Sequence, residues 1–389
     1  MRPPAIVAAA AQVLSKNLGR EVLLDHGECL SDAERRNQIL RVRDLSEADP
    51  ASFIIKKVVS DAFDPENLES WDSRRFFSDW AGAEFLSGVL PSRRSPRFYG
   101  GHSRLGFFIL EDLGAHRSLV EPLLEEDAAG AERALISFAA CLGAIHAGTC
   151  GRVAALEDVF RGIHPGFENF SRALSGFPER VTSMYAALDA LGVRAETGLN
   201  RELETVGAAI ENPGPFLSYI HGDPCPDNVF WDGNELRLID FEFGGFGHAL
   251  ADAAYGRMLF PSCWCANALP DALVQRMETV YRSTLARGCP EAQDDRTFEG
   301  ALVAVCGFWL VSTLSRQLAN AIEADRTWGI ATIRQRVLRR LEAFIATDHE
   351  LNRLPALRGT SERLLERLRE TWQGLQPLPL YPAFSRPSS

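Results

Sequence analysis

The stretch His221–Asp240, HGDPCPDNVFWDGNELRLID, decides how this chain is read. Val229–Trp231 and Leu236–Ile239 are short apolar runs separated by Asp-Gly-Asn, the composition of a tight turn between two strands. Pairing those runs brings Asn228 and Asp240 to the same open end of a hairpin. An amide oxygen and a carboxylate side by side suit Mg²⁺, a hard cation that takes oxygen ligands. Asp223 sits just upstream on the loop, where its carboxylate could accept a proton from a hydroxyl. A plainer reading makes Asp223 a loop carboxylate bonded to its own backbone.

His221, Asp223 and Asn228 also keep the spacing H-x-D-x-x-x-x-N of kinase catalytic loops, with Gly222 where a protein kinase carries Arg. Carried on through Ile239-Asp240-Phe241-Glu242, the segment resembles the HGDxxxxN…IDxE core of the aminoglycoside phosphotransferase and choline kinase family. The resemblance runs in order over residues 21 to about 260 and is specific at 221–242. It implies an α+β, bilobal protein-kinase-like fold. Residues 1–112 would form a small antiparallel-sheet N-lobe, and 113–375 a larger, mainly helical C-lobe with the catalytic loop and acceptor site. Residues 376–389 would be a loosely held Pro/Ser-rich tail.

The implied reaction moves the γ-phosphoryl group of ATP, or of GTP, to a hydroxyl of a small molecule with Mg²⁺. That acceptor would be an aminoglycoside-like antibiotic, an amino alcohol, a sugar or a related metabolite. By the same resemblance Asp223 is the catalytic base, and Asn228 and Asp240 are the metal ligands. His221 braces the loop, and Asp252 supports it from the next helix. Glu242 matches an acidic position after the metal Asp, without a stated role. Two rival readings are a catalytically silent nucleotide-binding relative and a metal-dependent hydrolase built on the His/Asp cluster.

Upstream, a leading amphipathic helix with Ile6, Val13 and Leu14 on one face is expected, against the alternative of a signal peptide. Strand-like runs follow at 21–24, 38–43 and 53–59, separated by turn-rich segments. The loop HGECLSDAERRN between the first two has Gly27 but no GxGxxG. The third run holds Lys56 and Lys57, two of only three lysines in a chain whose other basic residues are Arg. That run reads either as a solvated strand edge or as the strand whose ammonium bridges nucleotide phosphates. Lys56 fits the second reading, because alternation turns Lys57 to the other face. The helix at 74–90 offers Asp79 or Glu84 as the acid that the resemblance pairs with Lys56. The strand-like run 104–112 resembles the hinge, where main-chain groups near Glu111 and Leu113 would hydrogen-bond adenine.

Beyond 113 helical patterns dominate, at 129–148, 167–191 and 200–211, with the strand-like FLSYI before His221. His146 reads as a structural histidine on an apolar helix face. The apolar stretch 301–314 is too short to span a bilayer and reads as a buried helix. A net charge of −11 argues against a nucleic-acid partner and mildly favours a cationic one. Eight cysteines without a CxxC pair predict reduced thiols in a cytoplasmic protein, with Cys263 and Cys265 the weaker candidates for zinc. No membrane partner is expected, and neither the acceptor nor the oligomeric state follows from the sequence.

Overall fold

In the computed structural model, residues 5–385 are described except 33–34, 47, 91–92, 116, 165, 167–173, 175 and 232–234. The chain divides into two units: Met1–His116 with Arg152–Ser171 and Arg237–Gly245, and Arg117–Gly151 with Arg172–Leu236 and Phe246–Ser389. The expected lobe border near 112 falls close to the first crossing, but two later segments return to the first unit.

The first unit opens with helix α1 (Ala5–Leu18), followed by strands β1 (Glu28–Cys29), β2 (Asn37–Arg43) and β3 (Ser52–Val58). Helix α2 (Trp71–Val89) and strands β4 (Phe98–His102) and β5 (Phe107–Glu111) follow. The strands form one antiparallel sheet in the order β1-β2-β3-β5-β4. Strand alternation gives the sheet two apolar faces. Phe53, Ile55, Phe107 and Ile109 pack with Val7, Ala10 and Leu14 of α1. On the other face Phe108 meets Phe76 of α2, their ring centroids 5.7 Å apart. The leading segment is therefore a packed helix, with Ile6 and Val13 only at the edge of its buried face.

Two expectations in this unit are corrected. Residues 21–24 make a single bridge, Leu24 to Asp44, rather than a strand. A side chain takes the first hydrogen bond: the Val22 N–H donates to Ser15 Oγ at 2.9 Å. The outer strand is instead β1, inside the HGECLSDAERRN loop, of which 33–34 lie outside the described residues. Strand β4 was not foreseen, because its Phe-Tyr-Gly-Gly-His reads as a turn. Its glycines admit the neighbouring helices. A Cβ on Gly101 would stand 2.5 Å from the Trp80 ring, and one on Gly100 2.3 Å from the Asn17 amide.

The second unit begins with β6 (Arg117–Ser118), α3 (Val120–Leu124) and α4 (Ala128–Thr149). The chain visits the first unit as α5 (Val153–Ile163), which packs on α2. It continues with α6 (Phe177–Ala190), α7 (Leu199–Glu211), β7 (Leu217–Ile220) and β8 (Val229–Trp231); β9 (Leu236–Leu238) leads back into the first unit and β10 (Gly245–His248) returns from it. Then come α8 (Leu250–Ala253), α9 (Asp271–Leu285), α10 (Asp295–Glu323), the hairpin β11 (Thr327–Trp328) with β12 (Ala331–Thr332), α11 (Ile333–Leu351) and α12 (Pro355–Thr371). The start of the helix expected at 167–191 and the Asp-Gly-Asn turn lie largely or wholly outside the described residues.

Helix α10 is the core of this unit, with Leu302–Leu314 almost wholly buried against α6, α7 and α11. By length and composition α4 and α10 could each cross a membrane, but much of each apolar window is buried within the fold. The last segment is not loosely held. Ala268 N–H donates to the Pro379 carbonyl and Tyr381 N–H to the Ala268 carbonyl, at 2.9 and 3.0 Å, and Tyr381 is fully buried. Proline there suits an extended strap bonded at alternate groups, and only 386–389 fall outside the described residues.

Candidate active site

In the first unit the site is built on β3, α2 and the segment after β9. Lys56, half-way along the sheet, sends its Nζ to Asp79 Oδ2 at 2.5 Å and to Asp240 Oδ1 at 2.6 Å. Burial alone would lower the Lys56 pKa, but the charges of Asp240 and Asp79 outweigh it and hold the ammonium raised and protonated. Burial pushes the Asp79 carboxyl up to about 6, against the pull of Lys56 and with help from the Asp240 charge. The other oxygen of Asp79, Oδ1, accepts the Phe241 N–H at 2.8 Å and so fixes the backbone beside Asp240. Asp240 itself takes a left-handed φ of 67°, uncommon for a residue with a side chain and found often at functional sites.

Glu84, the other acid considered for Lys56, instead accepts from Trp80 Nε1 at 2.7 Å. Lys57 faces away and donates to the Val58 and Leu105 carbonyls, each at 3.1 Å. Glu242 acquires a role the sequence did not supply: its two oxygens accept from Arg36 and Arg75. Arg75 in turn lies over the rings of Trp71 and Phe243. The segment Asp240–Phe243 is thus tied to α2 and to the β2 end of the sheet. Glu111 carries its load by side chain, accepting the Arg97 N–H at 3.0 Å and pairing with Arg237 at 2.9 Å. Its own N–H is spent on the Arg97 carbonyl, so only its carbonyl is left for a ligand on that side. Leu113 is half-buried just beyond.

In the second unit the His221–Asn228 loop is held from below. Asp252, fully buried, accepts the N–H groups of His221 and Gly222 at 2.7 and 3.1 Å and contacts His146 Nε2 at 3.3 Å. His146 reaches Tyr281 through its other nitrogen at 2.8 Å and is fully buried, a bracing residue. The His221 ring accepts the Asp223 N–H at 3.3 Å. Asn228 Nδ2 donates to the Asp223 carbonyl at 3.0 Å, which turns its amide oxygen the other way as an acceptor. Ser262 Oγ donates to Asp223 Oδ1, and Tyr255 OH reaches both Ser262 Oγ at 3.0 Å and the Gly222 carbonyl at 3.2 Å.

Ser262 belongs to a strap, residues 258–264, that α11 pins with two fully buried arginines. Arg336 donates to the carbonyls of Cys263, Trp264 and Trp328, and Arg340 to those of Met258 and Leu259. Burial lowers them to about 10 and about 9 respectively, still charged at neutral pH. The strap is also cross-linked to the loop by a Cys225–Cys263 disulfide, which corrects the expectation of reduced thiols throughout. Their Cα atoms stand 5.5 Å apart, within ordinary disulfide reach. Ser262, Tyr255, Arg36 and Arg75 carried no sequence signal, since each acts across a long stretch of chain. Among the described residues no group of three His, Cys, Asp or Glu forms a ready metal cluster, Cys263 and Cys265 included. Taken each within its own unit, Asp240 offers a carboxylate and Asn228 an oriented amide oxygen, donor types that suit a hard cation.

Residues 81–286, more than half of the chain, match the phosphotransferase enzyme family, and the chain belongs to that family. It is therefore a phosphotransferase of the small-molecule class. The choline kinase of Cryptosporidium parvum Iowa II shares its fold, with a TM-score of 0.50 at 12% identity over 92% of this chain and 99% of that one. A protein-kinase-like α+β fold is thereby established. A putative aminoglycoside phosphotransferase from Ralstonia eutropha JMP134 aligns over 93% and 98% of the two chains, at 12% identity and a TM-score of 0.47. A choline/ethanolamine kinase family protein from Mesorhizobium loti aligns over 86% and 92%, at 15% identity and a TM-score of 0.44. No curated protein sequence matches significantly.

Proposed function

We propose that this chain transfers the γ-phosphoryl group of ATP, with Mg²⁺, to a hydroxyl of a small molecule. The observation that carries the reading is Lys56 held between Asp79 and Asp240. A buried ammonium fixed beside a half-buried carboxylate is the arrangement a phosphate chain and its metal require. Lys56 contacts the α- and β-phosphates and Asp79 keeps it in place. The Glu111 carbonyl and the Leu113 N–H take the adenine edge. Asn228 and Asp240 would hold Mg²⁺, which supplies positive charge to the phosphate oxygens.

Asp223 is the base. Ser262 and the His221 ring fix its carboxylate and backbone, so a hydroxyl presented to it loses its proton as the hydroxyl oxygen bonds to the γ-phosphorus. The bond to the β-phosphate oxygen breaks and ADP leaves. Catalysis rests on positioning and charge neutralisation rather than covalent chemistry.

The test is ADP release by the purified chain with Mg·ATP across hydroxyl-bearing compounds. An acceptor-dependent rate that falls roughly 10²- to 10⁴-fold in Asp223→Asn supports the reading. Nucleotide binding with no transfer to any acceptor points to a silent nucleotide-binding relative instead.

A further inference from the structure

Helix α10 carries Trp309, Ser312 and Arg316 three to four residues apart, on one face. The Trp309 ring packs edge-on against Tyr255, with centroids 5.2 Å apart, and Tyr255 touches Ser262 and Gly222 beside Asp223. That face of α10 therefore runs along the catalytic loop. One turn beyond Trp309, Ser312 anchors two guanidinium groups. Arg180 Nη1 of α6 donates to its Oγ at 2.8 Å, and Arg316 Nε donates to its carbonyl at 3.0 Å. Arg316 is exposed and forms no ion pair with any described carboxylate.

The charge around it is lopsided. Arg336 and Arg340 donate to main-chain carbonyls and a glutamine, not to acids. After burial, the charge of Arg316 depresses Arg180, with the Glu179 carboxylate acting the other way, and it also contributes to depressing Arg340. Partial desolvation at its base lowers Arg316 too, and the charge of Asp223 acts against that. A cluster of cations close to the catalytic carboxylate, inside a chain of net charge −11, runs against the overall composition. The acidity of the whole chain pointed to a cationic partner; the local field beside Asp223 points the other way.

We propose that Arg316, assisted by Arg180, binds an anionic group of the acceptor, so that the substrate is an alcohol carrying a carboxylate or a phosphate. This rests on the phosphotransferase reading with Asp223 as base. A guanidinium fork fixes a carboxylate or phosphate in two directions at once, which orients the rest of the molecule. The acceptor hydroxyl then faces Asp223 while its anionic end lies on α10. A choline-like or aminoglycoside-like cation would meet like charge at the same place.

The experiment measures ADP release by the full chain with Mg·ATP and charge-matched acceptors. Glycerate is compared with glycerol and serinol, gluconate with glucose and glucosamine, and glycerol phosphate serves as the phosphate arm. Turnover confined to the anionic members is expected, with the carboxylate and phosphate arms deciding which anion is preferred. Arg316→Gln raises the acceptor KM by roughly 30-fold or more with kcat changed little, Arg316→Lys falls between, and Arg180→Gln acts in the same direction. Equal turnover of neutral or cationic members overturns the proposal. So does an Arg316→Gln variant that lowers kcat for every acceptor alike, since Arg316 would then serve Asp223 alone. No release with any of these anions by a protein that binds Mg·ATP also counts against it. Failure to bind Mg·ATP overturns the phosphotransferase reading itself, and this proposal with it.

Discussion

Asp252 shows how much a single buried carboxylate can hold. It accepts two consecutive main-chain N–H groups of the catalytic loop and contacts His146, with no exposure to solvent. Asp252→Asn replaces one acceptor oxygen with a donor and leaves an N–H unmatched. A loss of about 2–4 kcal/mol is expected in urea unfolding, together with a lower kcat as the loop loosens. At this scale the sequence was legible where spacing is local. His221, Asp223, Asn228 and Asp240 lie within one short stretch and announce themselves together. The partner of Lys56 was legible only as a choice of two. Asp79 and Glu84 are five residues apart, roughly 140° around a helix, so they cannot both face the sheet. Periodicity could not say which one does, and packing of α2 turns Asp79 inward while Glu84 turns to Trp80.

Among the elements, α11 and the 258–264 strap form a unit that no motif foretold. Arg340→Met removes donors from several buried carbonyls while keeping most of the side-chain volume. It should cost about 2–3 kcal/mol by denaturant unfolding, more than an exposed Arg substitution. The Cys225–Cys263 link makes a separate claim. Under denaturing, non-reducing conditions six cysteines should react with a thiol reagent, and all eight after reduction. Eight reactive thiols without reductant would show that the loop and the strap are not joined. Helices were the most readable elements, because α4 and α7 keep an apolar face over several turns. Strands were less so. β4 hides behind two glycines that exist to let α1 and α2 approach, and the 21–24 run gives its first donor to Ser15.

For the molecule as a whole, acid should act first through carboxylates that folding has made more acidic. Burial would raise Asp112, but Arg41, the Gly114 N–H and Ser52 outweigh it and leave its pKa lowered. Asp44 behaves alike: burial raises it, and the Ser46 N–H with Arg20 brings it below its ordinary value. A depressed carboxylate stabilises the fold fully above its unfolded pKa of about 3.9 and loses that contribution as pH falls through the lower folded value. The thermal midpoint should therefore hold near neutrality as far as these groups are concerned and drop below about pH 4, with a smaller drop in Asp112→Asn. The central claim is that the Lys56–Asp79–Asp240 arrangement receives a nucleotide. Titration calorimetry of Mg·ATP into the wild-type chain and into Lys56→Met tests it most directly. Magnesium-dependent binding, weakened about tenfold or more in Lys56→Met, is the predicted result. No binding to the wild type, or equal binding to both proteins, would contradict it.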